Sequence, residues 1–127
     1  MPLVEVEKGF LYVEKLEDQK LLTGEAAWSS AVYLPGVLSA GIEKWISGRI
    51  ITPEIHHNQV MLILDGEAEI RERSEEKTSV VEAGDVVLLK VGAKLTITPK
   101  KPVKCFFVTV PPYQETPTDT SLTAEDQ

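Results

Sequence analysis

The sequence predicts an all-β protein, built as a sandwich or barrel of short antiparallel strands. Three observations lead to this prediction. Runs rich in Val, Ile, Leu and aromatic residues follow one another between residues 28 and 113. Turn-forming residues separate these runs at regular intervals, and no useful length of chain has the 3.6-residue apolar period of a helix. Seven or eight strands at this spacing are typical of all-β sandwiches and barrels.

The first thirty residues give a mixed signal. Val4, Val6 and Phe10 belong to strand-like sequence. Residues 16–22 are polar, so we expect a loop there. Residues 25–28 fit either a helical turn or the lead into a strand, and the sequence leaves both alternatives open.

The later strands are each bounded by turn residues. The predicted strands are 31–34, 38–46, 59–64, 67–73, 79–81, 86–89, 95–97 and 103–110. The Asp-Gly pair at 65–66 is typical of a tight hairpin, so we expect the chain to reverse there. Pro99 is expected to end the strand before it, with Lys100 and Lys101 in the following turn.

Length and charge limit the class of protein. A chain of 127 residues is about one domain, and 43% hydrophobic residues exclude global disorder. There are 13 Lys and Arg against 20 Asp and Glu, a net charge of −7. Phosphate-backbone binding needs a basic face, so we expect neither nucleic acid nor an anionic membrane as a partner. The longest apolar run, residues 60–64, is far shorter than the roughly 20 residues of a membrane span.

Cysteine content and the chain ends complete the overall description. Cys105 is the only cysteine, which excludes an internal disulfide and fits a reducing compartment. The N-terminus lacks a basic region followed by an apolar stretch, so we expect a cytoplasmic protein without a secretory signal. Residues 114–127 are acidic and Thr-rich, with Leu122 as the only large apolar residue. We predict one domain over residues 1–113 and an acidic flexible tail over 114–127.

Two segments carry a resemblance to a known family. Residues 48–66 contain a Gly, a His-bearing loop and a strand that ends in Asp-Gly. Residues 83–95 contain Gly-Asp followed by an apolar strand. These segments resemble the first and second motifs of the cupins, and the resemblance covers about residues 28–113. It implies a single cupin (jelly-roll) barrel of two antiparallel sheets.

A finer resemblance is to the ethanolamine-utilisation EutQ-type cupins. It rests on Gly41 and Trp45, on the Leu-Asp-Gly at 64–66, on the Ala-Gly-Asp at 83–85 and on the Val-Pro-Pro-Tyr at 110–113. The resemblance implies a small dimeric cupin, and acetate kinase activity has been attributed to that family.

The chain departs from the EutQ pattern where that family tends to carry acidic side chains. The neutral residues at these positions are Asn58, Gln59 and Met61. Phosphoryl transfer needs a Mg²⁺ clamp and positive groups for the phosphates, and the sequence has no Gly-rich phosphate loop. Kinase activity is therefore the less expected outcome.

The resemblance also bears on metal binding. Metal-binding cupins take two His and a Glu or Gln from the first motif and a third His from the second. Here Leu95 stands at the second-motif His position and Lys90 at its Pro position, and His56 and His57 are the only histidines. Transition metals usually need three protein ligands, so we expect no metal and no other cofactor. An alternative metal site would combine one or both histidines with an amide and a carboxylate, drawn from Gln59, Glu43 and Glu54.

Side-chain alternation predicts which residues share the barrel interior. Residues two apart on a strand point to the same face. The predicted inward set is His57, Gln59, Met61 and Ile63, together with Leu95 and Ile97 from a later strand. Glu43 and Trp45 share a face of their strand, and the resemblance favours Trp45 inside. Cys105 lies within an apolar run and is most simply a buried hydrophobic residue.

These residues predict a small-molecule enzyme. His57, Gln59 and Glu43 are the candidate catalytic residues. The candidate substrate-binding residues are Trp45, Glu54, His56, Met61, Ile63, Leu95 and Phe107. An imidazole in an apolar pocket suits acid/base chemistry on a small carbonyl-containing molecule: isomerisation, dehydration, cyclisation or decarboxylation. The alternatives are a ligand-binding or assembly cupin without catalysis and a EutQ-like role in ethanolamine or acetate metabolism.

The strand at 59–64 also predicts self-association. Val60, Leu62 and Leu64 alternate with an inner set that is equally apolar. A 127-residue chain has few elements left to cover this outer set. We therefore expect a homodimer.

Overall fold

The computed structural model describes residues 3–6, 8, 17–21 and 24–112, and the regular elements in this part of the chain are all β-strands. The strands are β1 (Glu17–Leu21), β2 (Gly24–Leu34), β3 (Leu38–Gly48), β4 (Ile50–Glu54), β5 (Asn58–Glu72), β6 (Lys77–Glu82), β7 (Val86–Leu89) and β8 (Lys94–Val110). The described residues contain no helix that could span a membrane. The all-β fold class predicted from the sequence is confirmed.

All strand pairs are antiparallel, and the order is β1-β2-β3-β8-β5-β6, with β4 added beside β8 and β7 beside β5. The long strands β5 and β8 pair along most of their length and take part in two layers. The first layer contains β1, β2, β3 and β7 with residues 103–110 of β8 and 58–63 of β5. The second contains β4 and β6 with the other halves of β8 and β5. The buried core lies between the layers.

The predicted hairpin at Asp65-Gly66 is wrong, because β5 continues through this pair. Both halves of β5 bond to the same partner, from Asn58 opposite Val110 to Glu72 opposite Leu95. Three register shifts between residues 63 and 68 mark bulges that bend the strand from one layer into the other. Gly66 has a φ of 93°, and a Cβ there would lie 2.1 Å from the Pro102 carbonyl oxygen. Glycine is therefore required for a bend with close backbone approach, rather than for a reversal.

The predicted turn at Lys100 and Lys101 is wrong for the same reason. Both residues lie inside β8, which runs from Lys94 to Val110. Pro99 falls opposite Ala68, beside the bulged part of β5, where a residue without an N–H is tolerated. Pairing between distant segments has overridden the local turn signal.

Residues 17–21 form β1 instead of the predicted loop. They pair with β2, from Glu17 opposite Trp28 to Leu21 opposite Gly24. A polar sequence suits an edge strand that receives its hydrogen bonds from one neighbour. Residues 25–28 lie in β2, so the strand alternative is correct. Val4 and Val6 lie outside the strands, while Phe10 and the tail at 114–127 lie outside the described residues.

The interior has the predicted alternation. His57, Gln59, Met61 and Ile63 are buried, as are Leu95 and Ile97. Trp45, Phe107, Ile70 and Val81 join them in the core. Each large apolar side chain buried in this way stabilises the fold by about 1.5–3 kcal/mol. Cys105 is also buried, and burial raises the pKa of its thiol well above the ordinary value, so it is a core residue and not a nucleophile.

Candidate acid–base site

His57 and Gln59 enter the barrel side by side. His57 directly precedes β5, and Gln59 is the second residue of that strand. Because residues two apart share a face, both side chains point inward, and they are only 1% and 3% exposed. The His57 Nε2 atom lies 2.9 Å from Oε1 of Gln59. The two residues therefore form one hydrogen-bonded unit at the start of β5.

Glu43 and Trp45 reach this unit from β3. Trp45 Nε1 donates a hydrogen bond of 2.6 Å to Oε2 of Glu43, two residues earlier on the same face of the strand. Gln59 Nε2 donates to Oε1 of Glu43 over 3.4 Å. The structure thus decides which face of β3 points inward, and it joins four predicted site residues in one network.

The network has a direction that determines the tautomer of His57. The Gln59 amide nitrogen donates to Glu43, so the amide oxygen faces His57. An amide oxygen can only accept, so the proton on this side belongs to His57 Nε2. In the neutral ring the lone pair is then on Nδ1, an atom that is shielded from solvent. Glu43 therefore selects, through Gln59, which nitrogen of His57 can act as a base.

Burial determines the charge of both ends of the network. Burial lowers the pKa of His57 below its ordinary value of 6.5; the bond to Gln59 opposes this shift, and the neighbouring His56 adds to it. His57 is therefore neutral at neutral pH. Burial raises the pKa of Glu43, and the hydrogen bonds from Trp45 and Gln59 partly offset the increase.

The walls around the network are apolar. The buried lining consists of Trp45, Met61, Ile63, Leu95 and Phe107, as predicted. A polar group placed in such surroundings costs roughly 1–3 kcal/mol unless it forms hydrogen bonds. The mutual hydrogen bonds of Glu43, Gln59 and His57 reduce this cost.

Two predicted site residues lie outside the buried network. Glu54 is exposed at the end of β4, where it pairs with Lys94. His56 is exposed, although it is adjacent to the buried His57. The two histidines therefore face different environments and do not form an inward-pointing pair.

Sequence reasoning missed a pair of buried hydroxyl groups beside the network. Ser39 on β3 and Thr109 on β8 are buried, and their side-chain oxygens lie 2.6 Å apart. Thr109 is directly opposite Gln59 in the sheet. The alternation that places Phe107 inside also places Thr109 inside, so this signal was present in the sequence.

The donor set does not fit a transition metal. The described part of the chain contains no group of three or more His, Cys, Asp or Glu side chains that could hold one. Met61 and Leu95 line the interior with side chains that are poor ligands for such ions, and His57 is its one imidazole among the described residues. The acid–base groups of the chain itself are therefore the chemistry that this site offers.

A crevice reaches the interior from the open edge between β6 and β7. Its volume is about 340 Å³. Ile70, Val81, Leu89 and Leu95 line its apolar part. Among the cavities lined by described residues, this one shares Leu95 with the walls of the network, and none includes His57.

The fold can be compared with known proteins. No family model matches the chain, and no curated protein matches it. Solved structures do match. The cupin domain of Schizosaccharomyces pombe Cnp3 has a TM-score of 0.64 at 18% identity, covering 79% of this chain and 70% of that one. This protein has the cupin fold.

Two further cupin-fold neighbours bear on the EutQ resemblance and on function. The EutQ protein of Clostridium difficile matches with a TM-score of 0.61 and 13% identity over 69% of each chain. The polyketide cyclase RemF of Streptomyces resistomycificus matches with a TM-score of 0.65 and 12% identity over 96% of this chain and 99% of that one. The predicted resemblance to cupins, including EutQ, is confirmed in the fold. At these identities the match describes the fold alone.

Proposed function

We propose that this cupin is an enzyme that transfers protons on a small carbonyl-containing molecule, with His57 as the acid–base residue and no metal. The observation that carries the proposal is the directed network from Glu43 through Gln59 to His57. It supports a neutral imidazole with its lone pair on Nδ1. Such a base is suited to removing a weakly acidic proton near neutral pH.

The proposed step uses three groups of this chain. His57 Nδ1 takes a proton from the carbon beside the substrate carbonyl, and the C–H electron pair moves to give an enolate. The Gln59 oxygen accepts from Nε2 throughout, so the imidazolium keeps its orientation. The hydroxyl groups of Ser39 and Thr109 are the nearby neutral donors for the enolate oxygen.

The fate of that proton defines the reaction type. Its return from His57 to a different carbon is an isomerisation, and its delivery to a departing hydroxyl is a dehydration. Attack of the enolate carbon on a second carbonyl is a cyclisation. The polyketide cyclase among the cupin-fold neighbours supports including this last type.

Ligand binding without catalysis is the second candidate function. It is favoured by the apolar walls of the interior and by the crevice that reaches Leu95, because apolar pockets suit small ligands whatever their chemistry. A EutQ-like role has less support. Gln59 and Met61, which stand where that family tends to have acidic groups, are buried neutral side chains.

Deuterium exchange tests the catalytic proposal even while the substrate is unidentified. Pools of 2-oxo acids, β-keto acids, aldehydes and ketones are incubated with the protein in D₂O and a chelator, and the α-proton signals are followed by NMR. We expect faster exchange in at least one pool. His57→Ala should slow that exchange by about 10²-fold or more, as loss of a general base does, with little change in Tm.

His56→Ala is the matched control, because its side chain is exposed next to the same position. It should leave the exchange rate nearly unchanged. Equal losses in both variants would indicate a metal chelate and contradict the proposed role of His57. Exchange in no pool, combined with a small molecule retained in native mass spectra, would favour the binding function instead.

A further inference from the structure

The outward face of the first layer is apolar and exposed. We define the outer face by Val60 and Leu62 on β5, Val86 and Leu88 on β7, and Phe106 on β8. These side chains are 40–69% exposed. The strand registers place Val86, Leu62 and Phe106 in one cross-strand row, and Leu88 and Val60 in the next. The exposed apolar groups are therefore contiguous and not scattered.

The outward side of the second layer has a different character. There β5 presents Glu67, Glu69 and Arg71, with Val80 of β6 opposite Glu69. An isolated exposed valine among charged residues is ordinary for a soluble protein. A contiguous apolar face usually marks a contact surface.

The size of the outer face suits a protein–protein interface. Strands spaced by about 4.8 Å and residues by about 3.3 Å give it a width and a height of about 20 Å each, or roughly 400 Å² in projection. A standard interface buries about 800 Å² on each partner, and somewhat more than half of that area is apolar. The outer face can therefore supply the apolar centre of such an interface.

We infer that the outer face is covered by the same face of a second copy of this chain, around a two-fold axis that runs parallel to β5 and β8 and between them. This arrangement places Leu62 against Phe106 of the partner subunit, and the reciprocal contact is identical. Two-fold contacts of this kind are self-complementary by construction. Face-to-face packing of antiparallel sheets with their strands nearly aligned is a common arrangement.

The charges beside the outer face favour a copy of this chain as the occupant. Asp65 lies opposite Lys104 in the row next to Leu62 and Phe106. The same axis brings Asp65 close to Lys104 of the partner subunit twice, so opposite charges meet at the edge of the contact. The chain as a whole carries a net charge of −7, so an interface between copies requires such a locally balanced row.

A matched pair of variants tests the inference. Val60 and Val80 are both exposed strand valines, 46% and 56% respectively, but only Val60 belongs to the outer face. Light scattering of the wild type at micromolar concentration should give twice the chain mass of 14.0 kDa. Val60→Asp should give a monomer, and Val80→Asp should remain a dimer. A wild-type monomer, or equal behaviour of the two variants, would overturn the inference.

A charge exchange tests the orientation and covers the case in which Val60→Asp fails to fold. Asp65→Lys and Lys104→Asp should each weaken the dimer in sedimentation at low salt, and the double variant should restore it. Circular dichroism confirms that each variant is folded. Weakening that the double variant does not reverse would contradict the proposed axis.

Discussion

His57 Nε2 lies 2.9 Å from Oε1 of Gln59, two residues further along the chain. Strand geometry places the two side chains next to each other, but it does not decide which end of the amide faces the imidazole. Glu43, on β3, decides this by accepting from the amide nitrogen. The acid–base character of a residue on one strand is therefore determined by a carboxyl group on another.

The tautomer of His57 can be measured directly. In ¹⁵N spectra of the imidazole at pH 7.5, we expect His57 to carry its proton on Nε2. Gln59→Leu removes the acceptor, so the ring should lose this preference and the free energy of unfolding should fall by about 1–3 kcal/mol. The exposed His56 serves as an internal reference in the same spectra. A wild-type ring protonated on Nδ1 would contradict the direction assigned to the network.

His57 should make the protein less stable in mild acid. Its folded-state pKa is lowered, so between that pKa and about 6.5 the unfolded chain binds more protons than the folded one. The free energy of unfolding therefore falls as the pH decreases through this window. Urea titrations at pH 7.5 and 5.5 should show a larger loss for the wild type than for His57→Gln. Glu43 has the opposite sign, so the difference between these two proteins is the quantity to compare. His56→Gln should lose as much stability as the wild type.

Glu72 should stabilise the fold until the pH is strongly acidic. Its carboxylate accepts from the backbone N–H groups of Lys94 and Glu75 and from the Ser74 hydroxyl, and these bonds lower its pKa to about 2. A lowered pKa gives stability that is present above the unfolded value of about 4.5 and is lost as the pH falls through about 2. Glu72→Gln should thus lower Tm at pH 7, and the deficit should shrink below about pH 4.5. Glu69→Gln, on the outward side of β5, should change Tm little at either pH.

The bend at Gly66 should not tolerate a side chain. Gly66 and Gly84 both have positive φ, at 93° and 96°, but a Cβ at Gly84 has nothing within 4 Å. Gly84→Ala should therefore show only the conformational cost, about 1–2 kcal/mol in urea unfolding. Gly66→Ala adds the overlap with the Pro102 carbonyl oxygen, so its loss should be clearly larger. Equal losses would mean that the bend can move away from Pro102.

The sequence by itself determined the all-β class and the inward face of β5. Both follow from the two-residue period of an extended chain, which assigns His57, Gln59 and Met61 to one side before any partner strand is known. The same period assigned Val60 and Leu62 to the outer side. The motif resemblance then led from an all-β chain to the cupin barrel.

Only the tertiary structure decided the features that depend on pairing between distant segments. The Asp-Gly at 65–66 bends rather than reverses because both halves of β5 find hydrogen bonds on one strand, β8. The polar residues 17–21 become a strand because β2 offers an edge. Glu43 joins Gln59, 16 residues away, and Ser39 joins Thr109, 70 residues away, because the sheet order brings their strands together. Local sequence encodes which way a side chain points along its own strand, whereas its neighbours across the sheet depend on long-range register, which no single segment contains.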